Sequence, residues 1–228
     1  MRDDDPNLSA LRAVARALGD LCERVVFVGG STAGLLLTDP AAESVRATLD
    51  VDAIVIADTL PQFQKIEAQV ATRGFVRDMD SGVICRWRHR DSGVLFDLMP
   101  VDPSILGFSN RWYPDAIRTA VPVTLDDGLQ IRLVSAPAFV ATKLAAFADR
   151  GRGDLLASHD LEDVLNVIDG RPELAQELDT APPALRDAVR AAFAALLRHH
   201  DFDNALPGLV ADAGRAGVVR ERLRAMAA

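Results

Sequence analysis

VVFVGGSTAGLLLTD (residues 25–39) joins two apolar runs through a pair of glycines and a pair of hydroxyl residues. The first run, Val25–Val28, is typical of a short buried strand. The glycines favour a sharp turn that brings the backbone close to a ligand. Ser31 and Thr32 are residue types that cap helices, and Ala33–Leu37 can follow as one or two helical turns. Free N–H groups at a helix start suit an anion, often a phosphate, so the stretch predicts a phosphate-binding turn.

The bulk composition is that of an ordinary globular chain with one large domain or two small ones. Of its 228 residues, 49% are hydrophobic and 25% are charged. No apolar run reaches the ~18 residues of a membrane helix. The acidic N-terminal stretch lacks the apolar core of a signal peptide, and Cys22 and Cys85 are too few for a disulfide framework. These features predict a cytoplasmic protein that has no membrane partner.

The charge balance limits the partners that the chain can bind. Its formal net charge of −8 argues against sequence-blind binding to nucleic acid, but it is compatible with a local basic groove. Only Lys65 and Lys143 are lysines, so 25 − 2 = 23 of the basic residues are arginines. Because an ammonium is a compact point charge and a guanidinium a flat fork, each lysine in this chain indicates a specific requirement.

The chain changes character near residue 135. Before it, β-branched runs alternate with turn signals, whereas the remainder is rich in alanine, leucine and helical periodicity. This pattern predicts an α/β (α+β) domain with a mixed sheet over residues 1–135 and a helical domain over residues 136–228. The predicted strands are Val25–Val28, Val51–Ala57, Val83–His89, Val94–Val101 and Gln130–Val134. The predicted helices are Leu8–Leu21, Leu60–Arg73, Pro137–Arg150, Ser158–Asp169, Pro183–His199 and Gly214–Ala227.

Two carboxylates stand at the beginning of a strongly β-branched strand, in the stretch TLDVDAIVIAD. Asp50 and Asp52 are two residues apart, so in a strand they face the same side, roughly 6–7 Å from one another. They repel one another unless a cation lies between them, and Mg²⁺ prefers such oxygen ligands. The alternative is a pair of acids at a solvated strand end.

A third carboxylate interrupts the apolar stretch VLFDLMPV. An isolated buried carboxylate costs several kcal/mol, so Asp97 must be paired, protonated or bound to a metal. An arginine partner explains Asp97 as well as a metal does. Taken with Asp50 and Asp52 beside a phosphate-binding turn, however, it forms a cage that can hold two Mg²⁺ ions about 3.5–4 Å apart. The combination predicts phosphoryl or nucleotidyl transfer by in-line displacement.

The ordered motifs resemble those of the nucleotidyltransferase superfamily that includes DNA polymerase beta. More narrowly, residues 25–171 are similar to the abortive-infection nucleotidyltransferase toxins of bacterial toxin–antitoxin systems. The matching segments are Gly29-Gly30-Ser31, Thr48–Asp52, Phe96–Leu98, Lys143 in ATKLAAFADR and Asp160 in SHDLEDV. The resemblance implies a nucleotidyltransferase-type mixed sheet followed by a helical unit.

The resemblance also implies an activity and a set of partners. It implies Mg²⁺-dependent transfer of a nucleoside monophosphate from an NTP to a hydroxyl, with release of pyrophosphate. The acceptor would be RNA such as tRNA, or a small molecule such as an aminoglycoside or lincosamide, and a cognate antitoxin would be a protein partner. The implied metal ligands are Asp50, Asp52 and Asp97, with Asp97 also helping to deprotonate the acceptor. The implied nucleotide-binding residues are Gly29, Gly30, Ser31, Thr32, Lys143 and Asp160.

Several of these residues also have structural interpretations. Lys143 could extend its stem along a helix toward solvent. Ser158 is a good helix cap, which accounts for acids in the next turn, and the choice between Asp160 and Asp163 as the partner of Lys143 stays open. Other basic and aromatic residues are candidates either for packing and solvated surfaces or for contacts with a nucleotide or RNA: Arg86, Arg88, Arg90, Trp112, Tyr113, Arg150 and Arg152.

Two other classes of protein compete with the transferase. GGSTAG is one residue from a dinucleotide-binding fingerprint, with Ser31 where the middle glycine belongs. Asp50 follows Gly29 by 50 − 29 = 21 residues, but it precedes its strand, whereas that fold places the acid at a strand end. The second competitor is a catalytically inactive relative that acts by binding a partner. Buried, unpaired acids would have no purpose in such a protein.

Overall fold

The computed structural model describes residues 4–57, 59–125, 128–150 and 155–228. Arg152 and the side chain of Arg150, both candidates for a basic groove, lie outside the described residues. Seven strands are described: β1 Val25–Val28, β2 Asp50–Val55, β3 Phe75–Arg77, β4 Arg86–His89, β5 Leu95–Pro100, β6 Val121–Thr124 and β7 Gln130–Leu133. The described α-helices are α1 Leu8–Leu18, α2 Ala33–Leu36, α3 Leu60–Thr72, α4 Pro103–Leu106, α5 Tyr113–Arg118, α6 Ala136–Arg150, α7 His159–Gly170, α8 Leu174–Thr180, α9 Pro183–Arg198, α10 Phe202–Leu209 and α11 Ala216–Ala227.

The seven strands form one mixed sheet in the order β3-β4-β5-β2-β1-β7-β6. β2 pairs in parallel with β5 and antiparallel with β1, and β1 is parallel to β7. The interior strand β1 is buried along its whole length, as its unbroken β-branched and aromatic sequence predicts. The mixed α/β fold with C-terminal helices is therefore confirmed.

The chain divides into two compact units. The first consists of the chain up to Thr32 together with Arg46–Val134, and it contains the sheet. The second consists of Ala33–Val45 together with Ser135–Ala228. The boundary near residue 135 is predicted to separate two domains that fold independently. The compactness of the two units does not test independent folding, so this boundary stays a prediction.

Local signals explain where the elements of the first unit begin and end. Thr59 caps α3 by accepting a hydrogen bond from the N–H of Gln62, and the helix carries a proline in its first turn. The hairpin between β4 and β5 closes with the N–H of Gly93 donating to the carbonyl of His89 at 2.8 Å. Gly93 has a φ of +71°, which glycine adopts at no steric cost.

In the second unit, α6 packs against α7 and α9, and α11 packs against α7 and α9. Apolar residues of α7 fill this core at helical spacing, namely Leu161, Val164, Leu165 and Ile168. No helix in the described ranges combines the length and the apolarity that crossing a lipid bilayer requires.

The sequence patterns missed the shortest elements. Strands β3 and β6 are three and four residues long, and β6 lies largely exposed at the sheet edge with a proline in it. The helices α4, α5, α8 and α10 were also not predicted, and none exceeds eight residues. The predicted helix Leu8–Leu21 ends at Leu18, where Gly19 begins a 3₁₀ turn. Elements this short carry too few residues for a periodicity to be read.

Candidate active site

The sheet brings the predicted carboxylates together. In the parallel pair β2–β5, Asp52 lies directly opposite Asp97, and Asp50 precedes Asp52 by two residues on β2. Neighbouring strands are about 4.8 Å apart and side chains alternate between the faces, so all three carboxylates share one face of the sheet. Asp97 is buried, and the other two are half-buried. Their roles as metal ligands and catalytic groups remain predictions, but their proximity is a feature of the fold.

Arg86 lies among these carboxylates. It stands opposite Asp97 in the antiparallel pair β4–β5. Its Nε donates to Oδ1 of Asp97 at 2.8 Å, and its Nη2 donates to Oδ2 of the same residue at 2.8 Å. Nη2 also contacts Oδ2 of Asp50. The hydrogen bonds to Asp97 raise the pKa of Arg86 above its ordinary value, against the opposing effect of burial, so the guanidinium stays charged.

The arginine-partner explanation for Asp97 is thus the one that this structure contains. In the described residues, three ligand atoms within 4.8 Å of one another occur at His199, His200 and Asp201, which are exposed. The strand aspartates do not form such a group in the described residues, and Arg86 contacts two of them, Asp97 and Asp50.

Gly29 directly follows β1 and lies against the side chain of Asp52. Val28 pairs with Asp52 across β1 and β2, so the next residue lies close to the Asp52 side chain. A Cβ added at Gly29 would overlap the Asp52 carboxylate, and the φ of Gly29 is +74°. Both observations require glycine here. The first glycine of the motif is therefore needed for its contact with a carboxylate as well as for the turn.

Ser31 is the residue of the turn that the protein itself leaves unsatisfied. The 3₁₀ turn Gly30–Thr32 follows Gly29, and the hydroxyl of Thr32 donates to the carbonyl of Gly29 at 2.8 Å. Ser31 is 1% exposed, and its Oγ has no hydrogen-bond partner within the described residues. A buried polar group without a partner is costly, which makes Oγ a candidate for a ligand contact.

In the second unit, Lys143 of α6 contacts two carboxylates of α7. Its Nζ lies 3.0 Å from Oδ1 of Asp160 and 2.8 Å from Oδ2 of Asp163. The side chain is only 12% exposed, so the interpretation of a lysine that extends to solvent is wrong. Burial lowers the pKa of Lys143, but the carboxylates of Asp163 and Asp160 outweigh it and raise the pKa above its ordinary value. Both aspartates, not one of them, hold the lysine.

The helix-cap interpretation of this region is also correct. The hydroxyl of Ser158 accepts a hydrogen bond from the N–H of Leu161 at 3.2 Å, and Asp160 lies in the first turn of α7. Capping and pairing with Lys143 are compatible, since they use different atoms. The assignment of Lys143 and Asp160 to nucleotide binding stays a prediction.

Of the alternating arginines Arg86, Arg88 and Arg90, two form ion pairs with aspartates, which the sequence alone does not show. Besides Arg86, Arg88 donates to Oδ1 of Asp78 at 3.1 Å, although its side chain remains half-exposed. Arg90 lies beyond the end of β4 and is exposed. Trp112 is buried, as the packing interpretation requires.

Sequence reasoning missed Asn7, which positions the segment leading into β2. Its side-chain amide donates to the carbonyl of Arg46 at 2.9 Å, and its Oδ1 accepts from the N–H of Thr48 at 2.8 Å. The hydroxyl of Thr48 in turn donates to the carbonyl of Asp50 at 3.1 Å. An asparagine before a helix reads only as a possible cap, so a single sequence holds no signal for this role.

The family model described as nucleotidyl transferase AbiEii toxin, type IV TA system, matches residues 11–227. No curated protein sequence matches the chain.

Two solved structures are similar to this one. The solution structure of the antibiotic-resistance factor ANT(2'')-Ia shares 18% identity and covers 85% of this chain and 96% of its own, with a TM-score of 0.49. The crystal structure of ANT(2'')-Ia in complex with adenylyl-2''-tobramycin shares 12% identity over 96% of this chain and 97% of its own, with a TM-score of 0.39. The match of the family model over almost the whole chain identifies it: the chain belongs to the nucleotidyl transferase AbiEii toxin family of type IV toxin–antitoxin systems.

Proposed function

We propose that this nucleotidyltransferase moves a nucleoside monophosphate from an NTP to a hydroxyl group, with Mg²⁺ and with release of pyrophosphate. The observation that carries the proposal is the alignment of Asp52 on β2 with Asp97 on β5, with Asp50 on the same face and Gly29 against the Asp52 carboxylate. Family membership supports the transferase chemistry.

The residues present fit a magnesium site. Three carboxylates supply hard oxygen ligands, which Mg²⁺ prefers, and the missing Cβ of Gly29 leaves the room that the Asp52 carboxylate occupies. The unpartnered hydroxyl of Ser31 lies in the turn that follows, where a phosphate oxygen would satisfy it. When bound, Mg²⁺ neutralises the triphosphate and lowers the pKa of the attacking hydroxyl.

The protein groups then have defined roles in the proposed reaction. The acceptor oxygen attacks the α-phosphorus, the bond from the α-phosphorus to the bridging oxygen breaks, and pyrophosphate leaves. Asp97 accepts the proton of the acceptor hydroxyl, which balances the step. Asp50, Asp52 and Asp97 would hold the metal. The backbone of Gly29 and Gly30, with the hydroxyl of Ser31 and with Thr32, binds the β- and γ-phosphates.

We assign Lys143 to the NTP phosphates as well. Its ammonium keeps its charge because it contacts the carboxylates of both Asp160 and Asp163. Asp160 and Asp163 act on the nucleotide through Lys143, as positioning residues.

For the acceptor we propose an RNA hydroxyl, such as that of a tRNA. A toxin must modify a component on which growth depends, and the family description is that of a toxin. The exposed Arg90 offers local positive charge despite the net charge of −8. The cognate antitoxin is the protein partner that the family description implies.

The test is a transfer assay with each of the four labelled NTPs, Mg²⁺, and three acceptor pools. The pools are total RNA, cell protein including the enzyme itself, and a panel of aminoglycosides and lincosamides. The variants are Asp52→Asn and, as a matched control, Asp91→Asn, which removes an exposed carboxylate from the β4–β5 turn. Losing a direct metal ligand should lower the rate by more than about 100-fold, since even groups that only support a ligand contribute 10- to 100-fold.

Label in the RNA pool with wild type and Asp91→Asn, but not with Asp52→Asn, would support the whole proposal. Label in the drug pool would replace the RNA acceptor by a small molecule and keep the chemistry. Full activity of a folded Asp52→Asn variant would contradict the metal assignment.

A further inference from the structure

Arg86 occupies the position that the proposed function gives to a metal ion. Its guanidinium engages both carboxylate oxygens of Asp97 and one of Asp50. The Arg86 side chain is 15% exposed, so little water competes for these charge-assisted hydrogen bonds. Both oxygens of Asp97 already accept a hydrogen bond from the guanidinium, and its positive charge repels a second cation placed beside them.

The need for this contact follows from the charges. Three carboxylates on one face of two adjacent strands repel one another unless a cation lies among them. Arg86 supplies such a cation from β4, the strand next to β5. Arg88, two residues along the same strand, is paired with Asp78 instead. The register that sets Arg86 opposite Asp97 therefore places a counter-ion of the chain's own beside these carboxylates.

We propose that Arg86 is an internal counter-cation that holds the metal-free site closed and competes with the divalent metal for Asp97 and Asp50. This inference rests on the proposed function, because it concerns the regulation of the same site. Metal binding requires the guanidinium to release Asp97, and the freed guanidinium is then available to a phosphate of the incoming nucleotide. The fork of Arg86 also blocks Asp97 as a proton acceptor until that release.

The competition has a measurable consequence. A ligand that binds only the open form has its affinity reduced by the fraction of molecules that are open. If Arg86 keeps about ten in eleven molecules closed, the apparent metal affinity falls about tenfold. Removing the fork should therefore tighten metal binding, although it removes a side chain from the site.

The experiment measures Mn²⁺ binding directly, by calorimetry and by the loss of the free-ion signal in electron paramagnetic resonance, without substrate. Arg86→Gln removes the charge and the fork, whereas Arg86→Lys keeps a charge and removes only the fork. Arg88→Gln is the matched control, because it deletes a positive charge from the same strand without touching the three aspartates. Asp52→Asn reports whether the metal binds at the proposed site.

We expect Arg86→Gln to bind Mn²⁺ about tenfold more tightly than wild type, Arg86→Lys to lie between them, and Arg88→Gln to stay within about twofold. With a chelator, Arg86→Gln should unfold several degrees below wild type, because the carboxylates lose their counter-ion. Saturating Mn²⁺ should remove most of that difference. Thermal unfolding with and without Mn²⁺ can also be measured for a variant that is too unstable for binding calorimetry.

Three results would overturn the inference. Equal Mn²⁺ affinity in wild type and Arg86→Gln, with binding lost in Asp52→Asn, would contradict the competition and leave the proposed function intact. An equal gain in Mn²⁺ affinity in Arg86→Gln and Arg88→Gln would show that the loss of any positive charge from β4 strengthens metal binding, and that the contact of Arg86 with the aspartates is not the cause. Mn²⁺ binding that is absent, or unchanged by Asp52→Asn, would remove the metal site itself and with it both proposals.

Discussion

At the residue scale, the first glycine of the motif illustrates how the site limits its own sequence. Gly29 has a positive φ, and its missing Cβ leaves the space that the Asp52 carboxylate fills. Gly93 in the β4–β5 turn has nearly the same φ, +71°, but an added Cβ there would meet nothing within 4 Å. Substituting each glycine in turn therefore separates the free-energy cost of a positive φ, which applies at both positions, from the cost of displacing Asp52, which applies only at Gly29.

We predict that Gly29→Ala and Gly93→Ala both lose about 1 kcal/mol of unfolding free energy, because alanine resists a positive φ. Only Gly29→Ala must also displace Asp52, so it should lose roughly 1–3 kcal/mol more and most of its transferase activity. Denaturant unfolding and the transfer assay measure the two effects. Equal losses of activity in the two variants would show that the contact with Asp52 is unimportant.

Lys143 offers a second prediction at this scale. The pKa of Lys143 is raised above its ordinary value of 10.5 in the folded state, so its charge stabilises the fold fully below about pH 10.5. This stabilisation should disappear as the pH rises through the folded pKa. Lys143→Met, which removes the ammonium that both carboxylates contact, should be less stable than wild type by about 3–5 kcal/mol at pH 7.

The difference between the two proteins should shrink above pH 10.5, as followed by denaturant unfolding from pH 7 to pH 11. Asp163→Asn in the Lys143→Met background should recover part of the loss, since it removes one of the two negative charges that the ammonium balances in wild type. A constant difference across this range would mean that packing of the lysine stem, not its charge, stabilises the unit.

At the element scale, the sequence indicated the central strands and long helices because they carry long apolar patterns. The bounds of these elements lie within a few residues of the predicted ranges for β1, β2, β5, α3, α6, α7 and α9. The three aspartates could be predicted to converge, since an Asp-x-Asp strand start and a buried aspartate have few other uses. The missed elements are short, exposed or interrupted by proline.

The position of Arg86 could not be predicted, because it depends on the register of a hairpin. β4 and β5 pair so that Arg86 faces Asp97 and Arg88 faces Leu95. A slip of one residue would place Trp87 opposite Asp97 and turn every side chain of the strand to the other face. The turn Asp91-Ser92-Gly93 allows either register by composition alone. The structure thus adds the counter-cation of the site, which the motifs do not contain.

A third prediction concerns the segment that leads into β2. Asn7 is 1% exposed, and Asn7→Ala removes the hydrogen bonds that its side chain makes with the carbonyl of Arg46 and the N–H of Thr48. We expect a loss of about 1–3 kcal/mol in unfolding free energy and a lower transferase rate, although no substrate contact is removed. Asn204→Ala, on the exposed side of α10, should change stability by less than about 0.5 kcal/mol. An Asn7→Ala variant with wild-type stability and rate would refute this role.

At the scale of the whole molecule, the two units do not follow the order of the sequence. Ala33–Val45 comes from the middle of the first unit's sequence but belongs to the second unit. The N–H of Asp39 donates to the carbonyl of Gly170 at 2.9 Å, and Arg215 pairs with both Asp39 and Asp169. Such ion pairs join residues far apart in sequence, so a boundary drawn from a composition change cannot reveal them.

Acids with lowered pKa occur in both units, so acid should weaken the entire molecule. In the second unit, hydrogen bonds from the Ala41 N–H and from Arg215 lower the pKa of Asp39, and a hydrogen bond from Thr38 lowers that of Glu173. In the first unit the pKa values of Asp78 and Asp102 are also lowered. A group with a folded pKa below its unfolded value stabilises the fold above the unfolded pKa, and this is lost as the pH falls through the folded pKa.

We predict that the melting temperature falls steeply between about pH 5 and pH 3, where these carboxylates take up protons. Asp39→Asn should lie below wild type at pH 7, because Arg215 loses a charged partner. The gap should narrow toward pH 3, since wild type loses the same interaction there by protonation. Asp91→Asn, an exposed control, should run parallel to wild type throughout. Thermal unfolding at pH 7, 5, 4 and 3 measures this, and a gap as wide at pH 3 as at pH 7 would show that the Asp39 carboxylate contributes by its shape and not by its charge.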